Sequence, residues 1–335
     1  MGDKVPFVSV VCLCYNHGQY IRETLDSILM QKTNFAFEII IHDDASTDNS
    51  AEIIMEYYNK YPNIIIPILQ YENQYSKNIK ISTTYIYPKI RGKYIALCEC
   101  DDYWIDEFKL QKQIEYLERH DECSACIHLA YKVDAKTKRV LNQIVISCTD
   151  RDFGVEETIE GLGSRVATNS IVYRAKYIQN ISMFYKKLSN TGVGDYLILV
   201  FLSIFGKIHY INEFMSVYRS NVKDSWTDRM NKSICKYLKY LNNHILMLHE
   251  LFEIVPKEYH TVLEQEIVRE KFELLAFQGK LFTIKRNYPL LYDDLTLNKK
   301  LKIILHYLLL KIDNKGIVYD NVRKIYNYFR CKIYG

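Results

Sequence analysis

The run Tyr94-Ile95-Ala96-Leu97-Cys98-Glu99-Cys100-Asp101-Asp102-Tyr103-Trp104 decides how the rest of the chain is read. Tyr94 to Cys98 is short and apolar, the pattern of a buried strand. It stops in two adjacent carboxylates, with a third at Glu99. Unpaired carboxylates beside an apolar core are expensive, so their clustering needs a counterpart. A hard divalent cation that takes oxygen ligands is one; acid–base chemistry on a tuned carboxyl is another. At the carboxyl end of a strand in an open α/β sheet, either marks the ligand crevice. A solvated acidic turn is the plainer reading, and two large aromatics straight after it, Tyr103 and Trp104, speak against it.

Upstream, strands and helices alternate. Val8 to Cys14 is β-branched and apolar and ends at Tyr15-Asn16-His17-Gly18, a strand followed by a turn. Over residues 19–32, Ile21, Leu25, Ile28 and Leu29 share one helical face. Phe37 to His42 is a second strand, ending in Asp43-Asp44. Ser46 or Thr47 is placed to cap a helix running to about Tyr61. Ile64 to Leu69 is a third strand, and Pro67 inside it, lacking an N–H, predicts an edge position. This alternation predicts an α/β fold, a mainly parallel sheet with helices on both faces. The first βα turn carries neither GxGxxG nor GxxxxGK[ST], which counts against a dinucleotide dehydrogenase and a P-loop ATPase. Tyr15-Asn16, Asp43-Asp44 and Asp101-Asp102 then fall at strand ends on one edge. An acidic crevice that receives an anion needs a cation between them, and Mg²⁺ or Mn²⁺ bridging a diphosphate is the economical solution.

Downstream, Glu107 to His120 reads as a helix with Phe108, Ile114 and Leu117 inward, and Ala125 to Val133 as a strand. Asn142 to Gly163 is weakly patterned and reads as a polar loop. Ala167 to Arg174 reads as a strand. Gly192-Val193-Gly194-Asp195 leads the apolar helix Tyr196 to Phe205. A carboxylate is favoured at a helix start, so spacing alone leaves Asp195 between an N-cap and a catalytic group. Lys207 to Tyr218 is a last strand, with Arg219 at its end. From Trp226 onward the pattern is helical, with segments Ile234 to Val255 and Val262 to Phe282. Leu301 to Lys311 suits either an interfacial helix or the core of a small bundle.

The 335 residues, 48% apolar and 25% charged, describe a globular chain of one or two domains. Gly and Pro are sparse at 12 and 6, against long linkers. Of the net charge of +4, residues 277–335 hold +8, leaving −4 for the first 276. A basic tail on a mildly acidic body suggests an anionic partner. The basic, aromatic run Arg323 to Tyr334 belongs to that tail, and no nucleic-acid motif accompanies it. No apolar leader precedes the first strand, and no apolar run reaches about 18 residues. The nine cysteines sit mostly in apolar segments and read as reduced thiols in a cytoplasmic protein. The lone Cys123-Ser-Ala-Cys126 has no partner pair at zinc spacing.

Taken together, Val8-Ser-Val-Val-Cys-Leu-Cys-Tyr-Asn16, Asp43-Asp44-Ala-Ser-Thr-Asp48, Gly92-Lys-Tyr-Ile-Ala-Leu97, Glu99-Cys-Asp101-Asp102-Tyr-Trp104 and Gly194-Asp195 resemble glycosyltransferase family 2. These are inverting enzymes of the GT-A fold, a Rossmann-like nucleotide-diphospho-sugar transferase architecture. The resemblance spans residues 6–226 and leaves a helical, basic C-terminal region over 227–335. It implies a nucleotide-sugar donor, most often a uridine diphosphate sugar, and a glycan or polyprenyl-linked acceptor.

By the same resemblance, Leu13, Cys14 and Tyr15 pack on base and ribose, and Asp44 accepts from the uracil ring. Asp101 holds the ribose, Asp102 holds Mn²⁺ or Mg²⁺ on the diphosphate, and Asp195 is the general base. Asp43, Glu99, Trp104 and Arg219 are secondary candidates. Two positions depart from the family pattern: Glu99 stands where Asp is commoner, and Asn221 where a His follows the Tyr218-Arg219 pair. The implied enzyme is a hexosyl- or N-acetylhexosaminyltransferase whose basic C-terminus meets the anionic inner face of the plasma membrane. A nucleotidyltransferase would share the acidic metal site but needs a Gly-rich basic loop after the first strand, absent from Tyr15-Asn-His-Gly-Gln19. A non-catalytic member that only binds nucleotide sugars is the other alternative.

Overall fold

The computed structural model describes residues 5–162, 165–189, 194–223, 225–231 and 233–312. They divide into two compact units, one drawn from Met1–Ser189 and Val193–Ser225, the other from Trp226–Gly335.

In the first unit β1 (Val8–Cys14), α1 (Ile21–Leu29), β2 (Phe37–Asp43), α2 (Ser50–Lys60) and β3 (Ile65–Leu69) alternate. β1 lies between β2 and β4 (Tyr94–Leu97), parallel to both. β3 closes this side of the sheet, where Pro67 costs no interior ladder bond. Gly92, just before β4, is held by contact: a Cβ there would sit 2.5 Å from the backbone N of Ser9. Ile21, Leu25 and Ile28 of α1 are buried against this sheet, and Leu29 is half-buried. The turn before α2 differs from expectation. Neither Ser46 nor Thr47 caps the helix; the Asp48 carboxylate accepts from Ser50 N at 2.9 Å, and the Ser46 hydroxyl is turned to Asn16 N at 2.8 Å.

Beyond β4 the sheet changes character. Its order is β3-β2-β1-β4-β9-β6-β10-β5. β9 (Val172–Arg174) runs antiparallel to both β4 and β6 (Cys123–Asp134). β10 (Lys207–Ser220) is parallel to β6, and the two-residue β5 (Tyr103–Trp104) is antiparallel to β10. Three readings are corrected here. The loop expected over Asn142 to Gly163 contains β7 (Val140–Ile144) on β6 and β8 (Arg151–Phe153) on β10. β7 is largely exposed on both faces, so it carries no alternation to be read. The strand expected over Ala167 to Arg174 begins only at Val172, after a 3₁₀ turn at Thr168–Ser170. Phe108 is 42% exposed and precedes α3 (Lys109–Arg119), which buries Leu110, Ile114 and Leu117 instead. α4 (Ile178–Lys187) and α5 (Gly194–Phe205) complete the unit.

The second unit is helical: Ile234–Glu250, His260–Phe277, Leu281–Asn287, Pro289–Asp293 and Leu297–Ile312. Its cores are small, one around Tyr237, Leu241 and Phe277, another around Phe272, Leu281, Ile284, Tyr292 and Ile303. The helix expected to run to Phe282 stops earlier, at Phe277, and Gly279 takes φ 65°, a left-handed value suited to glycine. The run Arg323 to Tyr334 lies outside the described residues.

All eight described cysteines are free, and six of them are buried. Among the described residues, one group of His, Cys, Asp or Glu side chains is arranged to hold a metal ion, and it contains no thiol.

Candidate active site

The register of β1 sets the site. Its Leu13 carbonyl accepts from Cys100 N at 3.0 Å, and its Cys14 carbonyl accepts from Asp44 N at 3.0 Å. The segments after β2 and β4 therefore flank the end of β1, and Tyr15, Asp43-Asp44 and Glu99 to Asp102 emerge along one edge. Cys14 is buried, Leu13 is half-buried and Tyr15 is 41% exposed, so of the three Tyr15 is the one open to solvent.

Glu99, Asp101 and Asp102 each offer a carboxylate oxygen, all within 4.8 Å of one another. Asp102 is fully buried; its Oδ1 accepts from Arg219 N at 2.8 Å and its Oδ2 from Asn169 Nδ2 at 3.1 Å. Burial, then the charges of Asp101 and Glu99, push its carboxyl well above the usual range. Glu99 is pushed up to about 8 by burial, then by Asp101 and Asp195. The Asp101 carboxylate is half-buried, and His17 Nε2 lies 3.9 Å from its Oδ2. Three carboxylates this close repel unless protons or a cation intervene. An all-oxygen donor set fits a hard divalent ion such as Mg²⁺, Mn²⁺ or Ca²⁺.

Around this trio the candidates separate. Arg219 braces the acidic loop. Its Nη1 donates to the Asp101 carbonyl at 2.6 Å, its Nη2 pairs with Glu23, and its guanidinium sits 4.4 Å from the Tyr103 ring and 5.1 Å from that of Tyr20. Asn221, at φ 64°, donates to Asp134 Oδ2 at 2.7 Å. Asp43 accepts from Ser46 N at 2.9 Å. Asp44 accepts from Gln74 N at 2.8 Å and Tyr75 N at 3.0 Å, fixing the loop that follows β3. Trp104 is buried and donates its indole N–H to the Asn169 carbonyl at 3.0 Å. Lys109 Nζ lies 4.1 Å from the centre of that indole and donates to Gln113 Oε1 at 2.7 Å. Burial lowers its pKa to about 7.

Asp195 stands in the first turn of α5. Its Oδ2 accepts from the Thr168 hydroxyl at 3.1 Å and its Oδ1 from Tyr196 N at 3.0 Å. Burial raises its pKa, while Thr168 and the backbone donors pull it back. It belongs to the same electrostatic neighbourhood as Glu99, whose carboxyl it pushes up. Sequence reasoning missed Thr168 and Asn169, the two side chains that touch Asp195 and Asp102. The available signal was a polar triplet, Thr168-Asn169-Ser170, interrupting an apolar segment.

Residues 9–181, half of the chain, match the family described as Glycosyl transferase family 2. The uncharacterized protein Rv1520 of Mycobacterium tuberculosis is 36% identical over 231 residues, 66% of this chain and 62% of that protein. The match thus spans less than two thirds of this curated relative. Two solved structures share the fold across 96% of this chain. S. aureus TarS 1-349 in complex with UDP-GlcNAc has a TM-score of 0.53 at 15% identity, over 91% of that chain. The mannosyltransferase PcManGT from Pyrobaculum calidifontis, in complex with GDP-Man and Mn²⁺, has 0.55 at 12% identity, over 84% of that chain.

Proposed function

The chain belongs to glycosyl transferase family 2, and on that premise we propose that it moves a hexosyl or N-acetylhexosaminyl group, with inversion, from a nucleoside-diphosphate sugar to an acceptor hydroxyl. A uridine diphosphate sugar is the proposed donor, and a glycan or polyprenyl-linked alcohol the proposed acceptor. The observation that carries the reading is the pairing of two acidic features: the trio Glu99, Asp101 and Asp102 within 4.8 Å, and the separately anchored carboxylate of Asp195.

Asp101, Asp102 and Glu99 would hold Mn²⁺ or Mg²⁺. Each oxygen of Asp102 accepts one N–H and keeps a second lone pair for the cation. When bound, the cation stabilises the negative charge that gathers on the departing diphosphate. Asp195 accepts the proton of the acceptor hydroxyl as that oxygen attacks the anomeric carbon from the face opposite the diphosphate. Its elevated pKa makes it a better proton acceptor than a solvated aspartate, and its two donors hold it in one orientation. Arg219 keeps the acidic loop in place through the Asp101 carbonyl. Asp44 and the Leu13 to Tyr15 segment are the proposed nucleoside contacts, with Tyr15 offering the exposed ring.

A thermal-shift panel of nucleotide sugars, with and without Mn²⁺, tests this. Stabilisation by a uridine diphosphate sugar that depends on Mn²⁺ supports the reading; indifference to every nucleotide sugar removes it.

We also propose that the second unit docks on an anionic bilayer. Leu297, Leu301, Leu305 and Leu308 recur at helical spacing and are 72%, 53%, 44% and 47% exposed. The buried Ile303 and His306 lie on the opposite face, and Lys300 and Lys302 stand on either side of the leucine stripe. An apolar stripe between lysines suits a headgroup interface. No described helix is long and apolar enough to cross a membrane. Sedimentation with phosphatidylglycerol vesicles should carry down the protein but not a Leu301→Glu, Leu305→Glu variant; a wild-type protein left in the supernatant ends the idea.

A further inference from the structure

The proposed base and the acidic trio sit on elements far apart in sequence, and a single three-residue turn touches both. Thr168 donates its hydroxyl to Asp195 Oδ2 at 3.1 Å. The next residue, Asn169, is fully buried and donates Nδ2 both to Asp102 Oδ2 at 3.1 Å and to the Val217 carbonyl at 2.9 Å. Its Oδ1 accepts from the Ser216 hydroxyl at 2.7 Å, which fixes which end of the amide faces Asp102.

The turn is clamped from outside. Trp104 donates to the Asn169 carbonyl at 3.0 Å, Gln113 to the Ser170 carbonyl at 2.9 Å, and Leu97 N to the Ile171 carbonyl at 3.0 Å. β4, β5 and α3 therefore all hold it. A turn this fixed transmits its position to whatever it touches, because every alternative leaves buried polar groups unpaired.

We propose that Thr168 and Asn169 are a positioning pair that sets the proton-accepting carboxylate Asp195 in register with the cation-holding carboxylate Asp102. The inference rests on the glycosyl-transfer reading above. Thr168 would act on the proton transfer alone. Asn169, aimed by Ser216, would act on cation binding alone. A merely structural turn would not divide in this way.

Two hydroxyl deletions test it: Thr168→Val, which keeps the branched shape, and Ser216→Ala, which releases the Asn169 amide without removing it. Mn²⁺ affinity is read on the protein without donor, by the loss of the free-ion signal in electron paramagnetic resonance. Steady-state transfer is read with the full set of substrates. Thr168→Val should lower kcat about tenfold or more while leaving Mn²⁺ affinity and donor KM within about twofold. Ser216→Ala should weaken Mn²⁺ binding about fivefold or more, with kcat restored at saturating Mn²⁺.

The proposal is overturned if both variants move the same constant, or if neither moves kcat or Mn²⁺ affinity. Should either variant fail to fold, Thr168→Ser, which restores the hydroxyl, must return kcat to near wild type, and Ser216→Thr must do the same for Mn²⁺ affinity; no recovery also overturns it. A wild-type protein that transfers nothing defeats the functional reading instead, and the Mn²⁺ comparison between wild type and Ser216→Ala still judges the turn.

Discussion

The sheet has two halves built by different rules. From β3 to β4 all neighbours are parallel, and side chains reach the edge because each strand ends there. Beyond β4 the strands reverse, β10 carries register shifts against β6, and side chains reach the same acidic neighbourhood by crossing from other elements. Asp44 and Asp101 belong to the first kind, Asp195, Asn169 and Arg219 to the second. The first half offers the oxygen atoms of the acidic trio; the second orients them and adds the Asp195 carboxylate. The division suggests that donor binding is mostly a property of strand ends, and the chemical step a property of long-range hydrogen bonds.

Asp195→Asn should produce the largest split. The amide keeps the shape but cannot take the acceptor's proton, so kcat should fall about 10²- to 10⁴-fold. Nucleotide binding, followed by calorimetry, should stay within about twofold, because Asp195 lies outside the first half. Weakened nucleotide binding would erase the distinction between the halves. Next in size is Asp101→Asn, on the parallel side. It should cost about tenfold or more in Mn²⁺ affinity and lose part of its effect at high Mn²⁺. Asp102→Asn is expected to lower stability as well, since that carboxylate accepts from both Arg219 and Asn169.

These differences follow what was readable in the chain. The parallel half announces itself through local pattern: β-branched runs, a Pro on the edge strand, carboxylates straight after apolar stretches. Asp101 and Asp102 needed no fold to be singled out. Asp195 was singled out as well, but its partner was not, because a hydrogen bond from Thr168 across 27 positions leaves no periodic trace. Arg219 shows the same limit from the other side. It is a secondary candidate by sequence, and the contacts of its guanidinium with Tyr20, Tyr103, Glu23 and the Asp101 carbonyl are long-range ones that spacing does not announce. β7 went unread for a related reason: a strand that pairs without being buried shows no hydrophobic alternation.

Lys109, at the start of α3 and over the Trp104 ring, gives a smaller effect with a definite sign. Burial holds its folded pKa at about 7, below the value near 10.4 of an unfolded lysine. Between those limits the unfolded chain binds more protons, so the cost of burying this group is full below about pH 7 and fades as pH rises to about 10. Lys109→Met fills the same space without the charge. It should raise stability at neutral pH by about 1–3 kcal/mol and flatten the slope of melting temperature against pH. Because Lys109 stacks on Trp104, whose indole N–H anchors Asn169, Mn²⁺ affinity should change more than kcat at saturating Mn²⁺.

The smallest expected effect tests the legible half where pattern reading went wrong. The spacing of Phe108 with Ile114 and Leu117 placed it on the buried face, and truncating a buried Phe costs about 3–5 kcal/mol. The ring is instead 42% exposed, one residue ahead of α3, with Lys32 Nζ 5.6 Å from its centre. The helix starts at Lys109, two residues later than the Glu107 start expected from sequence. The Phe108 N–H is already taken by Asp106 Oδ1 at 2.8 Å, which fixes the entry turn and leaves the side chain outside. Phe108→Ala should therefore cost no more than about 1 kcal/mol, the scale of an exposed cation–π contact, measured by urea unfolding at unchanged m-value. A loss of several kcal/mol would put the ring back in the core and move the start of α3. A loss near zero would mean that hydrogen bonds at helix ends decide which side chains enter the core even where the sheet itself is read from local pattern.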